Sequence, residues 1–92
     1  MTHKLDYKRL ERVVRGFSNH RRIQILELLE REPDLDVISI GKRLSVHYKT
    51  ISEHARRLAT SGLVTKRPVG SSVLHGITKR GKAVLMFLRT VE

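Results

Sequence analysis

The chain has 92 residues, with 19 Lys and Arg against 9 Asp and Glu, a formal net charge of +10. Apolar residues make up 39%, charged residues 30% and aromatic residues only 4%, which suits one globular domain (1–92) with an aliphatic core and excludes a disordered chain. Cysteine is absent, so disulfides, thiolate metal sites and cysteine nucleophiles are excluded and a cytoplasmic location is expected. No apolar run approaches the roughly 20 residues of a membrane span, and the opening MTHKLDYKRL lacks the apolar stretch of a signal peptide.

The charge is the first functional signal. A basic domain this small carries a positive field that attracts polyanions. Its acids are unevenly spread: Glu27, Glu30, Glu32, Asp34 and Asp36 lie together. The expectation is a solvated acidic corner that points away from a bound nucleic acid.

In chain order, Tyr7, Leu10, Val14 and Phe17 recur at helical spacing, which predicts a first helix from about Asp6 to Arg15. Ser18 or Asn19 can cap a second helix from about His20 to Arg31, ended by Pro33. Its Ile23, Ile25, Leu26, Leu28 and Leu29 cover much of the circumference, as in a central helix. Asp36 can cap a short third helix, Val37 to Leu44, followed by a turn at Ser45 and Val46. A fourth helix follows from Tyr48 to about Ser61, with Ile51, Ala55 and Leu58 as its inner stripe. Gly62 can take the left-handed position that closes a helix, letting Leu63 fold back. The period then changes. Leu63 to Val69 and Val73 to Ile77 read as two strands around the turn Gly70-Ser71-Ser72, with Pro68 on an edge. Thr78 caps a last helix, Lys79 to Val91. The fold class is therefore mainly α with a β-hairpin wing, in the order α-α-α-α-β-β-α.

The third and fourth helices, 37–61, have helix-turn-helix spacing, so the fourth can lie in a DNA major groove. With Ile51, Ala55 and Leu58 turned inward, Lys49, Ser52, Glu53 and Arg56 point outward together, with His47 and Tyr48 at the helix start. Lys and Arg donate to guanine, Ser bonds several base edges, and Glu accepts from cytosine or pairs with Arg56 or with Arg57, the latter four residues on. The hairpin, 63–77, offers Lys66, Arg67 and His75 on its strands and Ser71 and Ser72 at its tip for the backbone or minor groove.

The stretch ISIGKRLSVHYKTISEHARRLATSGLV resembles the helix-turn-helix core of ArsR-type winged-helix regulators, through Ile40, Leu44, Val46, Ile51, Ser52, His54, Leu58, Gly62, Leu63 and Val64. FSNHRRIQILELLE and GITKRGKAVL resemble the preceding helix and the end of the wing. MarR-type winged helices share much of this pattern. The resemblance implies a homodimeric regulator that binds double-stranded DNA, paired through its first and last helices, here through Leu10, Val14, Leu85 and Leu88. His47 departs from the Ser usual at the start of the recognition helix, which predicts a poorer cap. Metal sensing does not carry over, because the chain lacks Cys and its last helix lacks His and Asp.

The five histidines are dispersed, with no pair at i, i+4 spacing. No metal, cofactor or catalytic residue is expected: there is no Gly-rich phosphate loop, and Ser52 and His54 diverge on their helix. Two other readings remain open. Phosphate neutralisation alone would make a non-specific architectural binder, and the same fold can serve as a protein-interaction module.

Overall fold

The computed structural model describes residues 3–92 and has the elements α1 (Tyr7–Phe17), α2 (His20–Arg31), α3 (Val37–Leu44), α4 (Tyr48–Thr60), β1 (Val64–Val69), β2 (Ser72–Ile77) and α5 (Lys79–Val91). This is the winged-helix order, and helix ends fall within two residues of those read from periodicity.

The caps explain the agreement. Asn19 accepts from the backbone N–H groups of Arg21 and Arg22, Asp36 from Ser39, and Thr78 from Gly81. Each satisfies a donor that the helix leaves orphaned. Of the two cap candidates before α2, Asn19 is the one used. Gly62 closes α4 at φ +73°, so the Leu63 N–H turns back to the Leu58 carbonyl at 2.9 Å. Leu63 itself is fully buried and leaves β1 to begin at Val64.

The core forms around α2. Ile25, Leu26, Leu28 and Leu29 pack with Ile40, Ile51, Leu58, Leu63, Val64, Val84 and Leu85. Burying that many aliphatic side chains, at roughly 1.5–3 kcal/mol each, is what holds a domain of this size. Gly41 lets α3 press against the turn before α4: a Cβ there would stand 2.5 Å from the Val46 carbonyl oxygen.

The antiparallel hairpin pairs Val64 with Ile77 through to Val69 with Ser72. Ser72 thus belongs to β2, and Gly70-Ser71 alone makes the turn, with Gly70 at φ +62°, the first central position where type II′ hairpins take glycine. Pro68 lies opposite Val73 on β1, an edge strand of this two-stranded sheet.

The radius of gyration, 13.7 Å, exceeds the roughly 12 Å of a compact chain this long. The excess comes from parts that protrude. Helix α1 buries only Gly16 and Phe17, and most of the wing is exposed. Among the described residues no helix is long and apolar enough to cross a membrane.

Candidate nucleic-acid interface

Helix α4 is held on its inner side by α1, α2, α3 and β1. Ile51, Ala55 and Leu58 are buried. That orientation leaves Tyr48, Lys49, Ser52, Glu53 and Arg56 exposed, so the outward face read from the sequence is the face that the fold leaves free.

At the start of α4 the histidine itself supplies a cap. The His47 Nδ1 accepts the Lys49 N–H at 3.1 Å, doing with a ring nitrogen what serine does with a hydroxyl. Its ring stacks on Tyr48 with centroids 4.8 Å apart. The helix therefore begins with a stacked aromatic pair.

Glu53 is fully engaged. Arg56 donates to its carboxylate at 2.6 and 3.1 Å, and Arg57 at 3.2 Å. Both arginines expected as partners pair with it, and the shortest bond comes from Arg56. The bidentate Arg56 contact, seconded by Arg57, pulls the Glu53 carboxyl down to about 2. The pair neutralises an acid that would otherwise repel phosphate, and it also occupies Arg56.

His54 faces inward, and its Nδ1 accepts from the Arg22 guanidinium at 3.3 Å. Partial burial and the Arg22 charge hold His54 below the ordinary histidine value, in keeping with a neutral acceptor ring. Arg22 is 9% exposed and also donates to the Arg15 carbonyl at 3.3 Å. These two side chains tie α1, α2 and α4 together.

The wing keeps Lys66, Arg67, Ser71 and Ser72 exposed. His75 does not belong with them. It is 2% exposed, because β2 turns it under the hairpin, where its Nδ1–H and backbone N–H both donate to the Leu35 carbonyl, at 3.0 and 2.9 Å. The Asp34 N–H donates in return to the His75 carbonyl at 3.1 Å. Leu35 thus acts as a one-residue third strand. Arg67, though exposed, is engaged in an ion pair, donating to Asp34 at 3.1 Å.

The acidic corner is more than solvated surface. Glu30 bonds Arg89, Glu32 bonds Arg43, Asp34 bonds Arg67, and Asp36 caps α3. The acids staple α5, α3 and the wing to the α2 end of the molecule, so fewer cations remain unpaired than the raw charge suggests.

The apolar residues of the outer helices divide unexpectedly. Leu10 and Val14 are exposed on α1, at 40% and 50%. Leu85, expected at an interface, is 3% exposed and belongs to the core. Leu88 is half-buried against that core, while Met86, Phe87 and Val91 are exposed instead. The helical period alone could not tell which side of α5 meets α2.

The sequence reading missed a group of arginines. Arg9, Arg12 and Arg15 on α1, Arg56 and Arg57 on α4 and Arg80 on α5 surround one cleft. The i, i+3 recurrence of Arg9, Arg12 and Arg15 was the available signal.

A sequence model of the MarR family matches residues 19–69, more than half of the chain and all of the helix-turn-helix. The chain belongs to the MarR family. A search of curated proteins found no match. Among solved structures, this MarR-family chain is similar to the homodimeric winged helix-turn-helix DNA-binding domain of Mb0332 from Mycobacterium bovis, described as a possible ArsR-family transcriptional regulator. The identity is 28% and the TM-score 0.79, over 99% of this chain and 88% of that one. It is also similar to reduced HlyU from Vibrio cholerae, at 26% identity and TM-score 0.78 over 92% and 90% of the two chains. The transcriptional regulator HlyU from Vibrio vulnificus follows at 26% and 0.74, over 92% and 88%. The ArsR resemblance and the MarR family model thus converge on one winged-helix DNA-binding regulator fold.

Proposed function

We propose that residues 1–92 form a single homodimeric, sequence-specific DNA-binding domain that regulates transcription, working in the cytoplasm on chromosomal DNA. The observation that carries this reading is the free face of α4, where Tyr48, Lys49, Ser52 and Arg56 are exposed while the opposite side is locked into the core. A rigid helix with a polar, basic outer face suits the major groove.

In this reading Lys49 and Arg56 donate to base edges, Ser52 bonds a base or phosphate, and the His47–Tyr48 pair abuts the backbone at the helix start. Glu53 accepts from a cytosine amino group, or else stays with its arginines. Lys66, Arg67, Ser71 and Ser72 bring the wing to the neighbouring backbone or minor groove. Dimerisation uses Leu10 and Val14 of α1 together with Met86, Phe87 and Val91 of α5, whose exposure leaves a large apolar area uncovered in one copy. The homodimeric character of the Mb0332 domain supports this. A twofold dimer then reads two half-sites about one helical turn apart.

The test is selection from a random duplex pool at two salt concentrations, with wild type and with Lys49→Ala, Arg56→Ala. An enriched motif that the double variant loses is the expected result. Tight, salt-dependent binding without enrichment would establish a sequence-blind architectural protein instead.

A further inference from the structure

The arginine cleft lies beside the recognition face and shares Arg56 with it. It lies between the α1 flank, the last turn of α4 and the first turn of α5, and it measures about 450 Å³. Gly16 forms its floor: a Cβ there would collide with the Ser61 side chain, so glycine is what lets α1 approach α4 this closely.

Six arginines line the cleft, Arg9, Arg12, Arg15, Arg56, Arg57 and Arg80, and no lining residue is acidic. Among the described residues two carboxylates engage them: Glu11 bonds Arg15, and Glu53 bonds Arg56 and Arg57. The Arg80 guanidinium donates to the Ser61 carbonyl at 3.1 Å. Arg9 and Arg12 form no ion pair among the described residues. Behind the Arg15 backbone lies Arg22, nearly buried, with its Nε unpartnered. So many like charges around one concavity repel each other, and a compact ligand of several negative charges removes that cost. The planar fork of arginine matches phosphate oxygens in pairs, and the volume is that of an ordinary small-molecule site.

We propose that this cleft binds a compact oligophosphate, inorganic or nucleoside-linked. The site has a built-in consequence, which rests on the DNA-binding reading above. Arg56 stands both on the recognition face and at the cleft, so a phosphate chain that draws Arg56 and Arg57 off Glu53 takes Arg56 away from DNA and lowers affinity for the operator.

The experiment is calorimetric titration with inorganic tripolyphosphate at fixed ionic strength. Wild type binds. Arg9→Gln, Arg12→Gln, which changes exposed residues only, binds at least about tenfold more weakly. The charge-matched control Lys42→Gln, Lys82→Gln, on other faces, binds as wild type does. Equal loss in both double variants would reduce the effect to the general field of a +10 chain and overturn the proposal. Absence of tripolyphosphate binding, with weakened DNA binding in the Arg9, Arg12 variant, would also overturn it and make the cleft a track for the DNA backbone. Tripolyphosphate binding in a protein with no affinity for DNA would leave the cleft standing while the DNA reading fails.

Discussion

The Nδ1–H of His75 donates to the carbonyl oxygen of Leu35 at 3.0 Å, joining the returning strand of the wing to the segment between α2 and α3. The bond settles the tautomer. The other ring nitrogen, Nε2, is then an acceptor, and it is buried without a partner. Protonating it would place a charged N–H where nothing receives it.

That arrangement makes the wing sensitive to acid. Burial holds His75 below its ordinary 6.5, and His54 is lowered in the same direction. The unfolded chain therefore binds more protons than the folded one as pH falls. Stability is full well above pH 6.5, erodes as pH drops below it, and levels off only once the folded-state values are passed. Urea melts at pH 8, 6 and 5 should show falling midpoints. His75→Gln should flatten part of this dependence, at a cost of about 1–3 kcal/mol at pH 8 from the disturbed buried contact. An unchanged pH profile in that variant would assign the dependence to His54 alone.

Removing the Glu53 charge frees both Arg56 and Arg57. Glu53→Gln should bind random-sequence DNA more tightly, and its salt dependence should steepen by about one phosphate contact per subunit. Discrimination between operator and random DNA should narrow. Because the Glu53 carboxyl is depressed to about 2, the ion pair is present above the ordinary carboxylate range and is lost only as pH falls toward 2. The comparison can therefore be made at any pH from 5 to 8 without titrating this group. Weaker random-DNA binding by the variant would mean that Glu53 itself contacts the duplex.

Ser45 ends α3 at φ +57°, a left-handed conformation that L-residues adopt at a cost of roughly 1–2 kcal/mol. Glycine removes that cost and adds unfolded-state entropy of about 0.5–1 kcal/mol. Ser45→Gly should raise stability by about 0.5–1 kcal/mol in denaturant melts. A loss would show that the serine makes a compensating contact.

The exposed apolar residues of α1 and α5 can be charged without touching the core. Val14→Glu with Phe87→Glu, at positions 50% and 57% exposed, should give a monomer by light scattering with an unchanged circular dichroism spectrum. Operator affinity should fall by more than about tenfold, since one half-site is then read alone. A dimer that persists would move the interface elsewhere.

The local code of this chain is strong, and most of the fold follows from it. Asn19, Asp36 and Thr78 start helices, Gly62 stops one, and Gly70 turns the hairpin, each through a preference that acts within four residues. The inner stripe of α4 follows from a 3.6-residue period, and with it the candidate recognition face. Such signals need no partner distant in sequence. What the sequence left undecided depends on which surfaces meet. His75 alternates toward the inner side of the hairpin, and only the packing of β2 against α2, α3 and α5, with Leu35 bridged to it, makes that side an interior. Leu85 and Phe87 are equally apolar on paper, and only the seat of α5 on α2 buries one and leaves the other in solvent. The arginine cleft gathers residues from α1, α4 and α5 that lie up to 71 positions apart, from Arg9 to Arg80. Periodicity states which residues share a face of one helix; it carries no information about what that face will meet, because that is settled by the joint packing of all five helices and the hairpin.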